Sequence, residues 1–333
     1  MIAAVLRGPQ QLALESRPAP EPSTGEAVIR VRAAGLCGTD YRIWSGDRSV
    51  EYPLVMGHEF IGTVVAVGGS VSGLAPGERV VVEPNFSCGR CPLCREGNAN
   101  LCLSRTAVGI DVDGGFAEQA RVPARCCWAA PDAISDDALL LSEPLAVVVH
   151  AVKRGEPRAG EATAVLGVGN LGLLAIQVLK SRGCNVLAVG RSDRRLALAA
   201  ELGADAVATS AGDLASSARS FSGREGVDLV VETAGTPEAV ERAVELCRPG
   251  GRIVLTGLPH EPSALNFFWV VRRELRIIGS MIYRGEFPET LRLLESGAIR
   301  VDRLLTHRFP LGEIESAFRA HRSRDSIKVA LAV

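Results

Sequence analysis

The alternation of hydrophobic and polar residues changes character along the chain. From residue 1 to about 140, short alternating runs such as 62–68 are separated by turns rich in glycine and proline, a pattern typical of β-strands. From about residue 147 to 283, short apolar runs such as 164–166 alternate with segments whose apolar residues recur every three or four positions. That rhythm predicts βαβ units, and therefore a parallel sheet with helices on both faces.

Length and pattern together predict two domains. The chain has 333 residues, and a domain typically has roughly 150. We expect an α/β protein in which residues 148–285 form a doubly wound parallel sheet and residues 1–147 form a β-rich domain. Two helical patterns and a last strand follow at 286–333, and we expect this segment to return to the first domain.

Composition narrows the function classes. Lys and Arg number 37 and Asp and Glu 38, and so nearly neutral a chain does not bind nucleic acid through a general basic surface. No apolar run approaches the ~18 residues of a transmembrane helix, so we expect no association with a membrane. The sequence has nine cysteines, and we expect no secretory leader before them, which predicts reduced thiols and a cytoplasmic location.

A glycine-rich segment follows the apolar run 164–166 and opens a helical pattern. Strand, glycine turn and helix in this order are the context that a dinucleotide-binding loop requires, because the glycines let a pyrophosphate approach the helix N-terminus closely. The alternative is a purely structural turn between strand and helix. The predicted phosphate-binding residues are Gly167, Val168, Gly169, Asn170, Leu171 and Gly172.

The next predicted strand indicates the type of nucleotide. An acidic residue about 20 positions after the glycine loop would bind the ribose 2′-hydroxyl of NAD, but this strand ends in Gly190 and Arg191. A glycine makes room for a 2′-phosphate, and an arginine beside it supplies a bidentate partner. The sequence therefore favours NADP(H) over NAD(H). The alternative is that Arg191 is only solvated and the site accepts both nucleotides.

Four cysteines lie within fifteen positions. Their close spacing predicts one loop wrapped around a tetrahedral zinc ion, with an iron–sulfur cluster as the main rival. Because cysteine fills all four positions, no site is left for substrate, and we interpret this lobe, residues 84–105, as structural. The other cysteines, apart from Cys37, are expected to be small core residues. The lobe ligands are Cys88, Cys91, Cys94 and Cys102.

A second possible set of metal ligands is scattered along the chain. Cys37, His58 and Glu143 offer a thiolate, an imidazole and a carboxylate. Three ligands of mixed type leave a fourth position open for water or a substrate oxygen. Taken singly, each residue has an ordinary explanation as a core cysteine, a turn histidine or a helix-terminal acid, and spacing alone does not join them.

Together these motifs resemble the zinc-dependent medium-chain dehydrogenases and reductases, the superfamily of alcohol and polyol dehydrogenases. The motifs cover nearly the whole chain in the order of that family. The resemblance implies a GroES-like β-barrel catalytic domain, a Rossmann domain and a catalytic zinc ion in the cleft between them. The matching segments are Gly35–Asp40, Gly57–Gly62, Cys88–Cys102, Glu143–Leu145, Gly167–Gly172 and Ile327–Val329.

The resemblance also assigns roles to single residues. It implies that Cys37, His58 and Glu143 hold the catalytic zinc, so that two zinc ions are expected per chain. Glu59 is either a fourth ligand or a carboxylate that exchanges with water. Asp40 would orient the imidazole of His58, as carboxylates commonly do beside a ligating histidine. Glutamate at position 143 resembles the sorbitol, threonine and sugar-acid dehydrogenases more than the simple alcohol dehydrogenases.

A proton relay is expected to begin at Thr39, whose hydroxyl can accept from the substrate and donate onward. Many relatives end the relay at a histidine five residues after the ligating cysteine, but this chain has Arg42 there, and a guanidinium cannot take the proton. We expect the relay to end differently and Arg42 to contact cofactor phosphates or an acidic substrate. Further predicted cofactor-binding residues are Ser192, Arg195, Thr233 and Lys328.

These observations predict an enzyme that transfers hydride between NADP(H) and a secondary alcohol, which is a polyol, a sugar acid or an amino-polyol. The alternatives are a non-catalytic or regulatory member of the fold, an NAD-dependent dehydrogenase of simple alcohols or threonine, and a zinc-free quinone or enoyl reductase. The resemblance also implies a homodimer or homotetramer. Candidate binders of substrate hydroxyls, each equally explained as a turn residue, are Asp111, Asp113 and Glu118.

Overall fold

The computed structural model describes all 333 residues. The chain folds into two compact units, of which the first comprises residues 1–143 and 301–333 and the second residues 144–300. Each unit has its own hydrophobic core. No helix combines the length and the apolar character needed to cross a bilayer.

The chain contains eighteen strands and eleven α-helices. The strands are Ile2–Leu6 (β1), Leu12–Ser16 (β2), Glu26–Leu36 (β3), Leu54–Val55 (β4), Glu59–Val67 (β5), Arg79–Val82 (β6), Asn85–Phe86 (β7), Thr106–Ala107 (β8), Gln119–Pro123 (β9), Cys127–Ala129 (β10), Ala162–Leu166 (β11), Asn185–Gly190 (β12), Ala206–Thr209 (β13), Val227–Glu232 (β14), Cys247–Leu255 (β15), Arg276–Gly279 (β16), Leu305–Pro310 (β17) and Lys328–Ala332 (β18). The helices are Gly38–Ser45 (α1), Pro92–Arg95 (α2), Asp136–Leu140 (α3), Ser142–Gly155 (α4), Asn170–Ser181 (α5), Asp193–Glu201 (α6), Leu214–Ser222 (α7), Pro237–Leu246 (α8), Phe267–Arg272 (α9), Phe287–Glu295 (α10) and Ile314–His321 (α11).

The first unit is built on a seven-stranded sheet in the order β10-β6-β5-β3-β18-β17, with β9 also paired to β3. The long strand β3 is its centre, since it pairs antiparallel with β5, β9 and β18. The sheet β2-β1-β4 and the pair β7-β8 complete the unit. Because β18 pairs with the end of β3, the last residues of the chain lie beside the segment that leads into α1.

Aromatic packing holds α1 against α11 in the core of the first unit. Trp44 stacks on Phe318 with ring centroids 5.3 Å apart, and Tyr41 stacks on His321 at 6.3 Å. Phe116 meets the edge of Phe318 at 6.3 Å. Such pairs add to the free energy gained by burial, so the position of α1 is fixed along its length.

The second unit is a six-stranded parallel sheet in the order β13-β12-β11-β14-β15-β16. This is the order of a doubly wound dinucleotide-binding fold, in which the chain reverses direction across the sheet between β11 and β14. Strand β14 is buried along its whole length, as expected for a parallel sheet covered on both faces. The predicted parallel sheet is confirmed.

The boundaries between the units differ from the predicted ones. Helix α10 belongs to the second unit, which ends at residue 300 rather than 285, and the first segment ends at 143 rather than 147. Helix α10 buries one face, which includes Phe287 and Leu291, and its Glu289 forms an ion pair of 2.7 Å with Lys153 on α4 of the same unit. The amphipathic pattern of α10 alone does not show which core the helix covers.

Candidate metal centres and nucleotide site

The four cysteines of the lobe converge on one point. Their Sγ atoms all lie within 4.8 Å of one another, and Cys91 is 3.5 Å from Cys94 and 4.0 Å from Cys102. Four sulfurs bound to zinc at about 2.3 Å are about 3.8 Å apart, so this donor set fits a tetrahedral zinc ion. Because all four donors are thiols, a metal held here has no open position for substrate.

Backbone N–H groups favour the thiolate form in this lobe. The N–H of Ser104 donates to the sulfur of Cys102 at 3.4 Å. The N–H groups of Leu103 and Cys94 lower the pKa of Cys91 to about 6. Burial instead raises the pKa of Cys94 to about 11. Thiolate is the form that binds metal, so the backbone N–H groups favour metal binding at Cys91, whereas Cys94 must lose a proton to bind.

Apart from Cys37, the remaining cysteines have the properties of unreactive thiols, as expected. Burial raises the pKa values of Cys126, Cys127 and Cys247 to about 12. Burial also raises the pKa of Cys184. Thiols of this kind stay protonated at neutral pH and neither bind metal nor react readily.

Cys37, His58 and Glu59 form a second group of possible ligands, in the first unit. Cys37 lies between β3 and α1, while Glu59 begins β5 and pairs with Gly35 on β3. The donor atoms of the group all lie within 4.8 Å of one another. A Cβ on Gly35 would lie 2.6 Å from Oε2 of Glu59, so glycine there makes room for the carboxylate. Thiolate, imidazole and carboxylate together suit a zinc ion with an open coordination position.

Asp40 connects two of these donors. Its side chain is 0% exposed. Oδ2 accepts the backbone N–H of Cys37 at 2.8 Å, and Oδ1 lies 3.1 Å from Nδ1 of His58. A carboxylate in this position holds the proton on Nδ1 and leaves Nε2 for a metal. Burial lowers the pKa of His58, but the carboxylate of Asp40 outweighs burial and the pKa lies well above its ordinary value.

Lys328 forms a buried ion pair with Glu59. Its Nζ donates to Oε2 of Glu59, and both side chains are almost fully buried. Burial lowers the pKa of Lys328, but the negative charges of Glu59 and Cys37 more than offset it and raise the pKa. We predicted Lys328 as a cofactor-binding residue. In the structure its ammonium pairs with Glu59, because β18 pairs beside the end of β3, and its role toward a cofactor stays a prediction.

Glu143 lies apart from the close group. It is buried at the start of α4, and its negative charge contributes to the raised pKa of Lys328. Its carboxylate is not among the donor atoms that lie within 4.8 Å of one another. The structure therefore brings together three of the four expected donors. The carboxylate of Glu143, the fourth, interacts with the positive charge of Lys328.

Thr39 and Arg42 lie on α1, directly after Cys37, and both are half-buried. Thr39 precedes Asp40 in the first turn of the helix. The carbonyl of Arg42 accepts the hydroxyl of Ser45 at 3.2 Å. No contact of either side chain bears on the relay, so their catalytic roles stay predictions.

Three acidic residues considered as binders of substrate hydroxyls hold backbone N–H groups instead. This supports their interpretation as turn residues, because each carboxylate satisfies a donor that a loop would otherwise leave unpaired. The bonds, all of 2.8 Å, join Asp111 to the N–H of Ala107, Asp113 to that of Val55 and Glu118 to that of Ile2.

The glycine loop of the second unit lies between β11 and α5. Gly167 has a φ of 105°, which favours glycine. A Cβ on Gly172 would lie 1.8 Å from the carbonyl oxygen of Gly167, so only glycine lets the helix approach the strand. A Cβ on Gly169 would meet nothing within 4 Å, and no side chain caps α5. The open backbone and the helix N-terminus fit a pyrophosphate.

Thr233 fixes the glycine loop from the neighbouring strand. Its hydroxyl lies 3.2 Å from the carbonyl oxygen of Leu166 and 3.1 Å from that of Gly167. We predicted Thr233 as a cofactor-binding residue. In the structure its side chain is bonded to the loop that would hold the cofactor.

Glu232 is a residue that the sequence analysis missed. It is fully buried at the end of β14, and Oε1 accepts the N–H groups of Ala234 at 2.7 Å and Gly235 at 2.8 Å. Burial raises the pKa of Glu232. The sequence feature that could have indicated Glu232 is an acidic residue at the end of a mostly apolar strand, directly before a turn.

The end of β12 carries the residues predicted to select the nucleotide. A Cβ on Gly190 would lie 2.3 Å from Cγ2 of Val168, so glycine lets the strand end pack against the glycine loop. Arg191 follows and is exposed. Ser192 caps α6 by accepting the N–H of Arg195 at 3.5 Å, which gives this predicted cofactor residue a structural role.

We expect Asp40→Asn to weaken metal binding at the Cys37 group. The amide loses the charge that orients His58, and partners of this kind typically contribute about 10–100-fold to metal affinity. Competition with a chelator measures zinc affinity, with the four-cysteine lobe as internal reference. Asp47→Asn is the matched control, since Asp47 is exposed after α1 and accepts only the hydroxyl of Ser45. Equal zinc affinities for the Asp40 variant and the wild type would contradict this role.

Comparison with known families and proteins identifies the family of the chain. Residues 23–132 match the family model of the alcohol dehydrogenase GroES-like domain, and residues 170–296 match that of the zinc-binding dehydrogenases. The starvation-sensing protein RspB of Escherichia coli K12 is 36% identical over 95% of this chain and 94% of its own length. An L-threonine 3-dehydrogenase of Bacillus licheniformis is 36% identical, over 94% of this chain and 93% of its own. A sorbitol dehydrogenase of Halalkalibacterium halodurans is 32% identical over 97% of this chain and 96% of its own length.

Solved structures show the same similarity. A protein of Sinorhizobium meliloti 1021 described as a zinc-binding dehydrogenase, with NADP bound, superposes with a TM-score of 0.94 at 34% identity and covers 100% of this chain and 99% of that one. An alcohol dehydrogenase (rspB) of Escherichia coli CFT073, in complex with NADH, has the same TM-score, the same identity and the same coverage of both chains. The chain therefore belongs to the zinc-dependent medium-chain dehydrogenases, and it has their GroES-like domain and their Rossmann-type parallel sheet.

Proposed function

We propose that the protein is an NADP(H)-dependent zinc dehydrogenase that interconverts a polyol-like secondary alcohol and its ketone. The observation that carries the proposal is the group of Cys37, His58 and Glu59, with Asp40 bonded to the first two. A mixed donor set with an open position is what a substrate oxygen requires. A zinc ion held there supplies Lewis acidity and makes the substrate hydroxyl more acidic. A second zinc ion, in the cysteine lobe, is structural.

The residues around this group orient ligands and move a proton. Asp40 sets the ring orientation of His58, and Lys328 balances the charge of Glu59. The Oγ of Thr39 accepts the hydroxyl proton of the substrate and passes its own proton toward solvent. The guanidinium of Arg42 offers donors and no acceptor, so it binds an anionic group rather than a proton.

The nucleotide is held by the second unit. The open backbone of the glycine loop and the uncapped N-terminus of α5 support binding of a pyrophosphate. Arg191, exposed after a strand that ends without a carboxylate, supports binding of a 2′-phosphate. The similar structures carry NADP in one case and NADH in the other, so the choice of nucleotide rests on Arg191.

We expect Arg191→Ala to lower kcat/KM for NADP+ by roughly 10–100-fold, because the variant loses a charge-assisted hydrogen bond to the 2′-phosphate. The kcat/KM for NAD+ should change less than about threefold. Steady-state kinetics with both nucleotides measures this. Arg154→Ala is the control, because Arg154 is an exposed arginine in the last turn of α4, outside the predicted nucleotide site. A wild-type protein that prefers NAD+ tenfold or more would overturn the assignment.

The substrate class is supported by the relatives, which bear the names of a threonine and a sorbitol dehydrogenase. A spectrophotometric screen of polyols, sugar acids, amino-polyols and L-threonine, with NADP+ and NAD+ in parallel, tests it. We expect reduction of nucleotide with at least one polyhydroxy or amino-polyol substrate and none by a Cys37→Ala variant. Absence of turnover across both nucleotides, in protein loaded with zinc, would contradict the proposal.

We further propose that the protein forms a homodimer or homotetramer in the cytoplasm. Strand β16 is an edge of its sheet, with backbone groups that a second copy can pair with. Phe267, Phe268 and Val271 on the preceding helix are exposed, and apolar patches of this kind typically mark contact surfaces. The thiol-rich metal lobe suits a reducing compartment.

A further inference from the structure

The carboxylate of Glu232 is fully buried and has no part in the proposed mechanism. Glu232 is 0% exposed and is the last residue of β14, a strand that is otherwise mostly apolar. An acid in the interior costs free energy unless polar partners hold it. The contacts of this side chain therefore indicate why the fold retains it.

Glu232 fixes the shape of the turn that follows its own strand, residues 233–235. Its Oε1 accepts the N–H of Ala234 at 2.7 Å and that of Gly235 at 2.8 Å. Gly235 has a φ of 69°, so the chain turns sharply away from the strand at this point. Two N–H groups that converge on one oxygen fix the orientation of two successive peptide planes, which a turn without a side-chain acceptor leaves unpaired.

This turn lies directly against the glycine loop. A Cβ on Gly167 would lie 2.8 Å from Oγ1 of Thr233 and 2.9 Å from the backbone nitrogen of Ala234. The hydroxyl of Thr233 also lies within hydrogen-bond distance of the carbonyl oxygens of Leu166 and Gly167. The peptide nitrogen whose hydrogen Glu232 accepts is thus the one that packs on the first glycine of the loop.

The turn after β15 encloses the carboxylate from the other side. A Cβ on Gly257 would lie 2.8 Å from Oε2 of Glu232 and would overlap the backbone nitrogen of Gly235, so glycine makes room for both. Burial raises the pKa of Glu232. A negative charge gives no electrostatic advantage beside a site for an anionic pyrophosphate, so the value of this side chain lies in the N–H groups that it accepts.

We propose that Glu232 is a positioning residue for dinucleotide binding, and that it acts on the glycine loop through the turn 233–235. A pyrophosphate is bound by backbone N–H groups at fixed positions, and a binding surface keeps such positions only when the residues behind it are themselves held. Glu232 makes no contact with the nucleotide in this scheme. The inference rests on the proposed nucleotide-dependent function.

The test is a binding titration that does not depend on turnover. The Kd values of NADPH and NADH are measured by fluorescence and that of ADP-ribose by calorimetry. Glu232→Met has a similar volume but no oxygen to accept the two N–H groups, so we expect all three Kd values to rise by a common factor of about 10 or more. Glu232→Gln retains an accepting oxygen and should bind within about threefold of the wild type.

Asp228→Leu is the matched control. Asp228 is another buried acid of β14, near the opposite end of the strand, where it accepts the N–H of Ala162 at 3.0 Å and the Nε–H of Arg248 at 2.7 Å. Asp228→Leu should lower the unfolding temperature, as Glu232→Met does, but should leave every Kd within about twofold of the wild type, because distant sites act independently.

Thr233→Val tests the same connection from the other side of the turn. It removes the hydroxyl that reaches the glycine loop, and we expect it to raise the same Kd values about 3–10-fold. If Glu232→Met does not fold, unchanged binding by Thr233→Val overturns the inference.

Three further results would overturn it. They are unchanged binding by Glu232→Met, an equal loss of binding by Glu232→Gln, and an equal loss by Asp228→Leu, which would make both acids merely structural. Failure of the wild type to bind either dinucleotide would instead overturn the proposed function, and the inference with it.

Discussion

The buried carboxylate of Asp40 organises the candidate metal centre. A charge in the interior is tolerated only when it is fully hydrogen-bonded, and Asp40 meets that condition through Cys37 on one oxygen and His58 on the other. Cys37 follows β3 and His58 precedes β5, so one side chain sets the spacing of donors from two neighbouring strands. The aromatic contacts between α1 and α11 keep that carboxylate in place.

In the second unit, the register of the backbone, rather than one side chain, aligns the residues of the candidate nucleotide site. Because the strands of a parallel sheet end level with one another, the residues that follow them form a row without any long-range side-chain contact. Glycine at Gly167 and Gly172 lets the helix N-terminus approach this row. The first unit thus brings candidate metal donors together around one carboxylate, and the sheet of the second unit aligns the candidate nucleotide-binding residues.

Features encoded within a short segment can be predicted from the sequence, and features that join remote segments cannot. The parallel sheet, the glycine loop between strand and helix and the convergence of the cysteine lobe follow from local spacing. The pair of Lys328 and Glu59 joins residues 269 positions apart, and that of His150 and Glu286 joins residues 136 apart. Neither contact leaves a periodic signal in the sequence, so the sequence predicts neither the partner of Glu59 nor the unit to which α10 belongs.

Zinc content together with X-ray absorption at the zinc edge tests whether Cys37, His58 and Glu59 form a metal centre distinct from the cysteine lobe. We expect two zinc ions per chain and an average coordination shell that contains both sulfur and nitrogen or oxygen. In a Cys37→Ser variant stripped with a mild chelator, we expect one zinc ion with four sulfur ligands. Wild-type protein that holds a single zinc ion, bound by four sulfurs, would contradict the existence of the second centre.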